Sequence, residues 1–155
     1  MRTVDQWLQE YGESHQNETN KSIHWICVPA IFLSITGLLY SIKLTWHWDA
    51  LQLNVAMIVV LLVTIYYLRL STALGVGMLL FGVACLLLCY LIEIYIPLSL
   101  WLVCLIIFAL AWVGQFYGHH VEGKKPSFLK DVQFLLIGPM WLMSFVYKKM
   151  GIRYS

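Results

Sequence analysis

Charge is scarce in this chain. Of its 155 residues only 12% are Asp, Glu, Lys or Arg, about half the share found in an ordinary soluble domain. So few charges cannot keep most of a surface in water, which argues against a water-soluble globular domain and for lipid as the main solvent. No stripe of Lys and Arg interleaved with aromatics is present, and the formal net charge is only +2, which sets nucleic-acid binding aside. The cysteines, Cys27, Cys85, Cys89 and Cys104, form no C-x-x-C pair and all fall in apolar runs, so they read as small packing residues. No hydrophobic leader is expected either. Residues 1–22 are polar and carry Asp5, Glu10, Glu13 and Glu18, so the first apolar segment is expected to stay in the mature protein. There is no internal repeat and no low-complexity tract.

What the chain has in quantity is apolar sequence, 61% of the total. The expectation is an all-α, polytopic membrane bundle forming one integral-membrane domain over 1–155. It divides into an interfacial helix and linker (1–22), four spans (23–118), and a loop with a C-terminal hairpin (119–155). Residues 3–16 predict a short amphipathic helix. Thr3 and Gln6 suit a capping box, and Val4, Trp7, Leu8, Tyr11 and His15 recur on one stripe. Such a helix lies on the membrane surface or caps the bundle. A break at Asn17–Asn20 follows, with Asn20 the expected N-cap and His24 on the first helical turn.

The spans are placed at about 23–42, 50–68, 73–92 and 97–118. Pro97 is expected in the first turn of the fourth. Trp46, His47 and Trp48 read as an interfacial anchor, and Ala73, Gly75, Gly77 and Gly82 as small residues for close helix approach. The last apolar run, 128–147, is interrupted by Gly138-Pro139 and carries Asp131 and Gln133. It is either a kinked fifth span or a re-entrant hairpin. Four spans with cytoplasmic termini leave only Lys43 outside, against Arg2, Lys21, Arg69, Lys124, Lys125, Lys130, Lys148, Lys149 and Arg153 inside, so the positive-inside rule favours the hairpin.

Chemistry concentrates where the fourth span ends. On a continuous helix Gln115, His119 and Glu122 share one face, while His120 points about 100° away. An intramembrane imidazole at His24 needs a partner facing the bundle, and four crossings bring His24 and His119 to the same membrane face. A bend after His15 lets that ring join them. His15, His24, His119 and Glu122, with His120 in reserve, are therefore the candidate catalytic and metal-binding residues. Asn20 and Gln115 are candidate partners that orient the ligands. Histidines with a carboxylate suit Fe(II), Mn or Zn, and with open positions they particularly suit non-haem iron and oxygen. Lys124 and Lys125 would attract a substrate carboxylate or serve only as cytoplasmic anchors.

These residues also fall into a recognisable pattern. Tyr11-x3-His15-x4-Asn20-x3-His24-x3-Val28-Pro29 resembles the N-terminal signature of the Mpo1-like family. Gln115-Phe116-x-Gly118-His119, followed by Glu122, Pro126, Gln133 and Pro139, resembles its C-terminal signature. Two residues separate His119 from Glu122, where the yeast-like pattern has three, and His120 replaces a small residue. The resemblance implies an Fe(II)-dependent dioxygenase that takes a 2-hydroxy fatty acid and O2 to the fatty acid one carbon shorter (α-oxidation). The charge partition puts the expected site on the cytoplasmic side of a membrane, either the inner membrane of a bacterium or the endoplasmic reticulum of a eukaryote. The expected partners are the 2-hydroxy fatty acid, O2 and membrane lipids, with no nucleic acid; a homo-oligomer stays open. Two other readings also stay open, a metal-free lipid-binding or scaffold protein and a zinc-dependent membrane hydrolase.

Overall fold

The structure is a computed structural model that describes residues 2–48, 51–129 and 132–154. Among these residues the order is α1 (Val4–Gly12), α2 (Glu18–Tyr40), β1 (Lys43–Trp48), β2 (Leu51–Asn54), α3 (Val55–Leu70), α4 (Thr72–Tyr95), α5 (Leu100–Glu122), a 3-10 turn (Ser127–Leu129) and α6 (Phe134–Lys149). Lys130, Asp131 and Ser155 lie outside the described residues, as do Met1, Asp49 and Ala50.

α1 starts as its sequence predicts. Gln6 N donates to Thr3 Oγ1 at 3.3 Å and Thr3 N donates to Gln6 Oε1 at 2.9 Å, a reciprocal pairing that satisfies two otherwise orphaned amides. Its stripe of Val4, Trp7, Leu8 and Tyr11 is buried against α6. There Trp7 meets Phe134 edge-on at 5.3 Å and Tyr11 meets Trp141 at 5.3 Å. The cap of α2 is Asn17 rather than Asn20. Asn17 Oδ1 accepts from Thr19 N at 2.9 Å and Asn20 N at 3.3 Å. Asn20 is thereby drawn inside the helix and fully buried, and His24 falls on the second turn instead of the first.

α2 is the central element. It packs along α5 for most of its length and also touches α3, α4 and α6. The α2–α5 seam is close because α5 presents Gly114-x3-Gly118. A Cβ at Gly118 would lie 2.4 Å from Asn20 Oδ1, and one at Gly114 would lie 2.6 Å from Cys27 Sγ. Small residues four apart allow this approach between membrane helices. Gly77 and Gly82 of α4 do the same against Tyr147 of α6 and Val60 of α3.

α2, α4 and α5 are long and apolar enough to cross a membrane. The expected second span is shorter. α3 has 16 residues, below the ~20 that a span usually needs. Residues 51–54 pair with β1 instead, in an antiparallel hairpin that sets Lys43 opposite Asn54 and His47 opposite Gln52. The alternation of Leu51-Gln52-Leu53-Asn54 is a strand period, and Asn54 then caps α3 by accepting from Met57 N at 3.2 Å. Pro97 lies before α5 rather than in its first turn, because Ile96, which precedes it, is extended at φ −99°, ψ 125°, as a residue before proline prefers.

α6 corrects the expected hairpin. It runs unbroken through Gly138-Pro139. The missing N–H of Pro139 frees the carbonyl of Leu135, one turn back. Gly138 makes room for α1, since a Cβ there would lie 2.8 Å from Tyr11 Oη. α6 has 16 residues and is buried along most of its first three turns, so it is a core helix clamped between α1 and α4.

A candidate metal centre of three buried histidines

Three elements each deliver one imidazole to one point. His15 follows α1 in the turn that leads to Asn17. Its ring stacks on Tyr11 at 4.2 Å and 14°, and its Nδ1 lies 2.6 Å from the Tyr11 carbonyl oxygen. His24 stands on α2 with Nδ1 2.8 Å from the Asn20 carbonyl oxygen. His119 stands on the last turns of α5, its ring centroid 5.0 Å from both. The three residues are 1%, 1% and 5% exposed, and one donor atom from each lies within 4.8 Å of the other two.

The proton inventory of the pair is decisive. A carbonyl oxygen only accepts, so each Nδ1 must carry the hydrogen, and each neutral ring then has a bare lone pair on Nε2. Those two atoms face each other at 2.9 Å, and two lone pairs at that distance require something positive between them. A proton is disfavoured. Burial, reinforced by the neighbouring His24 and His119, pushes His15 down to about 3, although its hydrogen bond to Tyr11 and the charge of Glu122 oppose this. A metal cation would fit instead: His15, His24 and His119 would hold it, and it would take up the lone pairs that the two Nε2 atoms present to each other. Metal-bound histidines characteristically donate their other N–H to a carbonyl, as both do here. Nδ1 of His119 is buried and, among the described residues, has no hydrogen-bond partner.

The other expected site residues fall around this core in different places. Glu122 does not join the histidine cluster. Its carboxylate accepts from Gln16 N at 2.9 Å, Asn17 N at 2.8 Å and Asn20 Nδ2 at 3.1 Å, so it grips the turn that carries His15. Lys124 extends that grip by donating to the Glu13 carbonyl at 2.5 Å. Lys125 and His120 are exposed, and His120 points away from the triad as its helical phase requires. Asn20 also donates to the Ser14 carbonyl at 3.2 Å. Gln115 is buried one turn before His119 and lines a cavity.

That cavity, of about 380 Å³, starts beside His119, Gln115 and Ser127 and runs to Leu39 and Ala56. Its walls are almost wholly aliphatic and aromatic. α3 and α5, which both line it, make few contacts with each other. Sequence reasoning did not find this space, nor the contact of Ser14 Oγ with Ser127 Oγ beside His15. The spacing of Gly114 and Gly118 was a legible signal for the close seam that brings His24 and His119 together.

Comparison with known proteins agrees with this geometry. The family described as "2-hydroxy-palmitic acid dioxygenase Mpo1-like" matches residues 1–150. The chain is 29% identical over 141 residues to the protein named 2-hydroxy-palmitic acid dioxygenase MPO1 of Saccharomyces cerevisiae, which covers 89% of this chain and 76% of that protein. No solved structure matches the chain.

Proposed function

Because the chain belongs to the Mpo1-like family, we propose that it is a membrane-embedded Fe(II) dioxygenase that shortens 2-hydroxy fatty acids by one carbon. The observation that carries the reading is the pair of Nε2 atoms facing each other at 2.9 Å with both Nδ1 hydrogens committed, at the head of an apolar cavity. The proposed ligands are His15, His24 and His119. When bound there, iron would supply the redox chemistry that O2 requires. The balance closes with one 2-hydroxy acid and one O2 giving the acid one carbon shorter, carbon dioxide and water. The protein's own groups set the stage. The apolar walls hold the acyl tail and exclude water, and the Gln115 amide, one turn from His119, offers a donor to the substrate head. The Tyr11 and Asn20 carbonyls hold the proposed ligand rings in one tautomer, and Glu122 holds the turn beneath His15.

The same reading has a topology. The end of α3 lies near the ends of the chain, since Ser71 Oγ donates to the Tyr154 carbonyl at 2.6 Å. α2, α3, α4 and α5 thus pass alternately between two ends of the bundle. We place both termini and the histidines on the cytoplasmic side, which keeps nearly all Lys and Arg there. Labelling a cysteine placed at Ser155 from the outer face would overturn this.

Three histidines also suit zinc, so the test must separate the metals. Protein purified in detergent, stripped and reloaded without oxygen, should consume O2 with a 2-hydroxy fatty acid when given Fe(II) and not when given Zn(II). Zinc retained on purification, with no O2 consumption after iron loading, would defeat the proposal.

A further inference from the structure

We propose that the far end of the apolar cavity, where Leu39 of α2 meets Ala56 of α3, sets the longest acyl chain the protein accepts. The limit lies near 14 carbons beyond the polar head. This rests on the reading that a 2-hydroxy acid presents its head to the histidines.

Among the described residues the polar groups lining the cavity lie mostly toward the triad: Gln115, His119 and Ser127, with the Trp112 indole one turn before Gln115 on α5. Farther along, the one hydroxyl is that of Thr36, and it donates to its own Phe32 carbonyl at 2.8 Å, so it asks nothing of a ligand. An extended guest with one polar end has therefore a single favourable direction. Its length follows from the wall. α2 lines the cavity from Val28 to Leu39, which at 1.5 Å per residue is about 16 Å. An extended chain advances roughly 1.2 Å per bond, a third of a peptide unit's ~3.5 Å, so about 14 carbons fill that distance. The end is closed. Ala56 is fully buried and packs with Tyr40, Cys89, Leu100 and Cys104. A larger side chain at 56 has no room behind it and must grow into the cavity. Val59, three residues on, lines the same wall, about 4.5 Å closer to the histidines, or roughly four carbons.

The test measures binding apart from turnover. Saturated, unhydroxylated fatty acids of 8–20 carbons would displace a fluorescent fatty acid from purified full-length protein in nanodiscs. The same chain lengths, as 2-hydroxy acids, would be assayed for product. Affinity should rise with length and stop rising near the limit. Ala56→Phe should lower that limit, and Val59→Phe should lower it by about four carbons more, with short chains bound as before. Ala56→Leu replaces Ala56→Phe if the larger ring prevents folding, as judged by thermal unfolding. Profiles that do not move in either variant, in protein that still turns over 2-hydroxy acids, would overturn the ruler and leave the reaction standing. Profiles that shift in protein that turns over no 2-hydroxy acid would support the ruler and remove the reaction.

Discussion

Glu122 offers the sharpest test of how the histidine site is built. Its carboxylate stands at the end of α5 but accepts three N–H bonds from the turn and first helical residues around His15, at 2.8, 2.9 and 3.1 Å. Charge-assisted bonds of this kind are worth about 1.5–3 kcal/mol each when dry. Here Gln16 and Asn17 are exposed, so water replaces most of what Glu122→Ala removes, and about 1–2 kcal/mol is the expected net loss. That weakens docking of the turn by roughly 5- to 30-fold, since 1.4 kcal/mol is a factor of ten. Iron affinity should fall by up to that factor, because His15 leaves with the turn. Saturating iron should restore one ion per chain and most of the turnover, because His15, His24 and His119 are intact. Hydrogen exchange supplies the local readout: the amides of Gln16 and Asn17 should exchange faster in Glu122→Ala, with Glu122→Gln in between. Unchanged exchange together with turnover that saturating iron does not restore would refute the reasoning and place Glu122 at the metal.

His15→Ala, His24→Ala and His119→Ala should each abolish stoichiometric iron binding, whereas His120→Ala, at an exposed position, should leave both iron content and turnover unchanged; equal losses at 119 and 120 would contradict the orientation of the helix. Gly118→Ala puts a methyl 2.4 Å from Asn20 Oδ1 and should destabilise the protein by about 1–3 kcal/mol, read as a lower Tm in detergent. The metal-free protein should also lose stability in acid. His15 is held at about 3 against 6.5 ordinarily, so between those values the unfolded chain binds the extra proton. Stability is therefore level above pH 6.5 and declines as pH falls below it; thermal unfolding that stays flat from pH 7.5 to 4.5 would refute this.

How much of this was legible in the sequence depended on whether local or distant contacts decided the outcome. The stripe ending at His15 was legible because helical periodicity reports burial directly, and so was the capping box of Thr3 and Gln6. That His15, His24 and His119 should meet was expected from helical phase and four crossings; the three rings do meet, with α3 shorter than a usual span. Asn17 and Asn20 have equal capping chemistry, and the choice was made by Gly118 and Glu122 about a hundred residues away. Glu122 lies on the expected face of α5, but face alone does not say that two backbone amides will take up the carboxylate. Gly138-Pro139 carries a local signal to break a helix. The docking of Tyr11 against Gly138 and the burial of Trp141 and Leu142 outweighed it. The hairpin at 43–54 was obscured because aromatic-rich strand sequence resembles an interfacial loop.

The donors of the candidate site come from opposite ends of the chain, and this has a consequence for biosynthesis. His15 and His24 leave the ribosome early. His119 follows 95 residues later (119 − 24), which at 5–20 residues per second is roughly 5–20 s. During that interval two facing imidazoles wait without their third partner, and the turn holding His15 waits without Glu122. A nascent chain arrested before α5 has only two of the three proposed ligands and lacks the Glu122 carboxylate that holds the turn of His15, so the candidate site is complete only once α5 has docked.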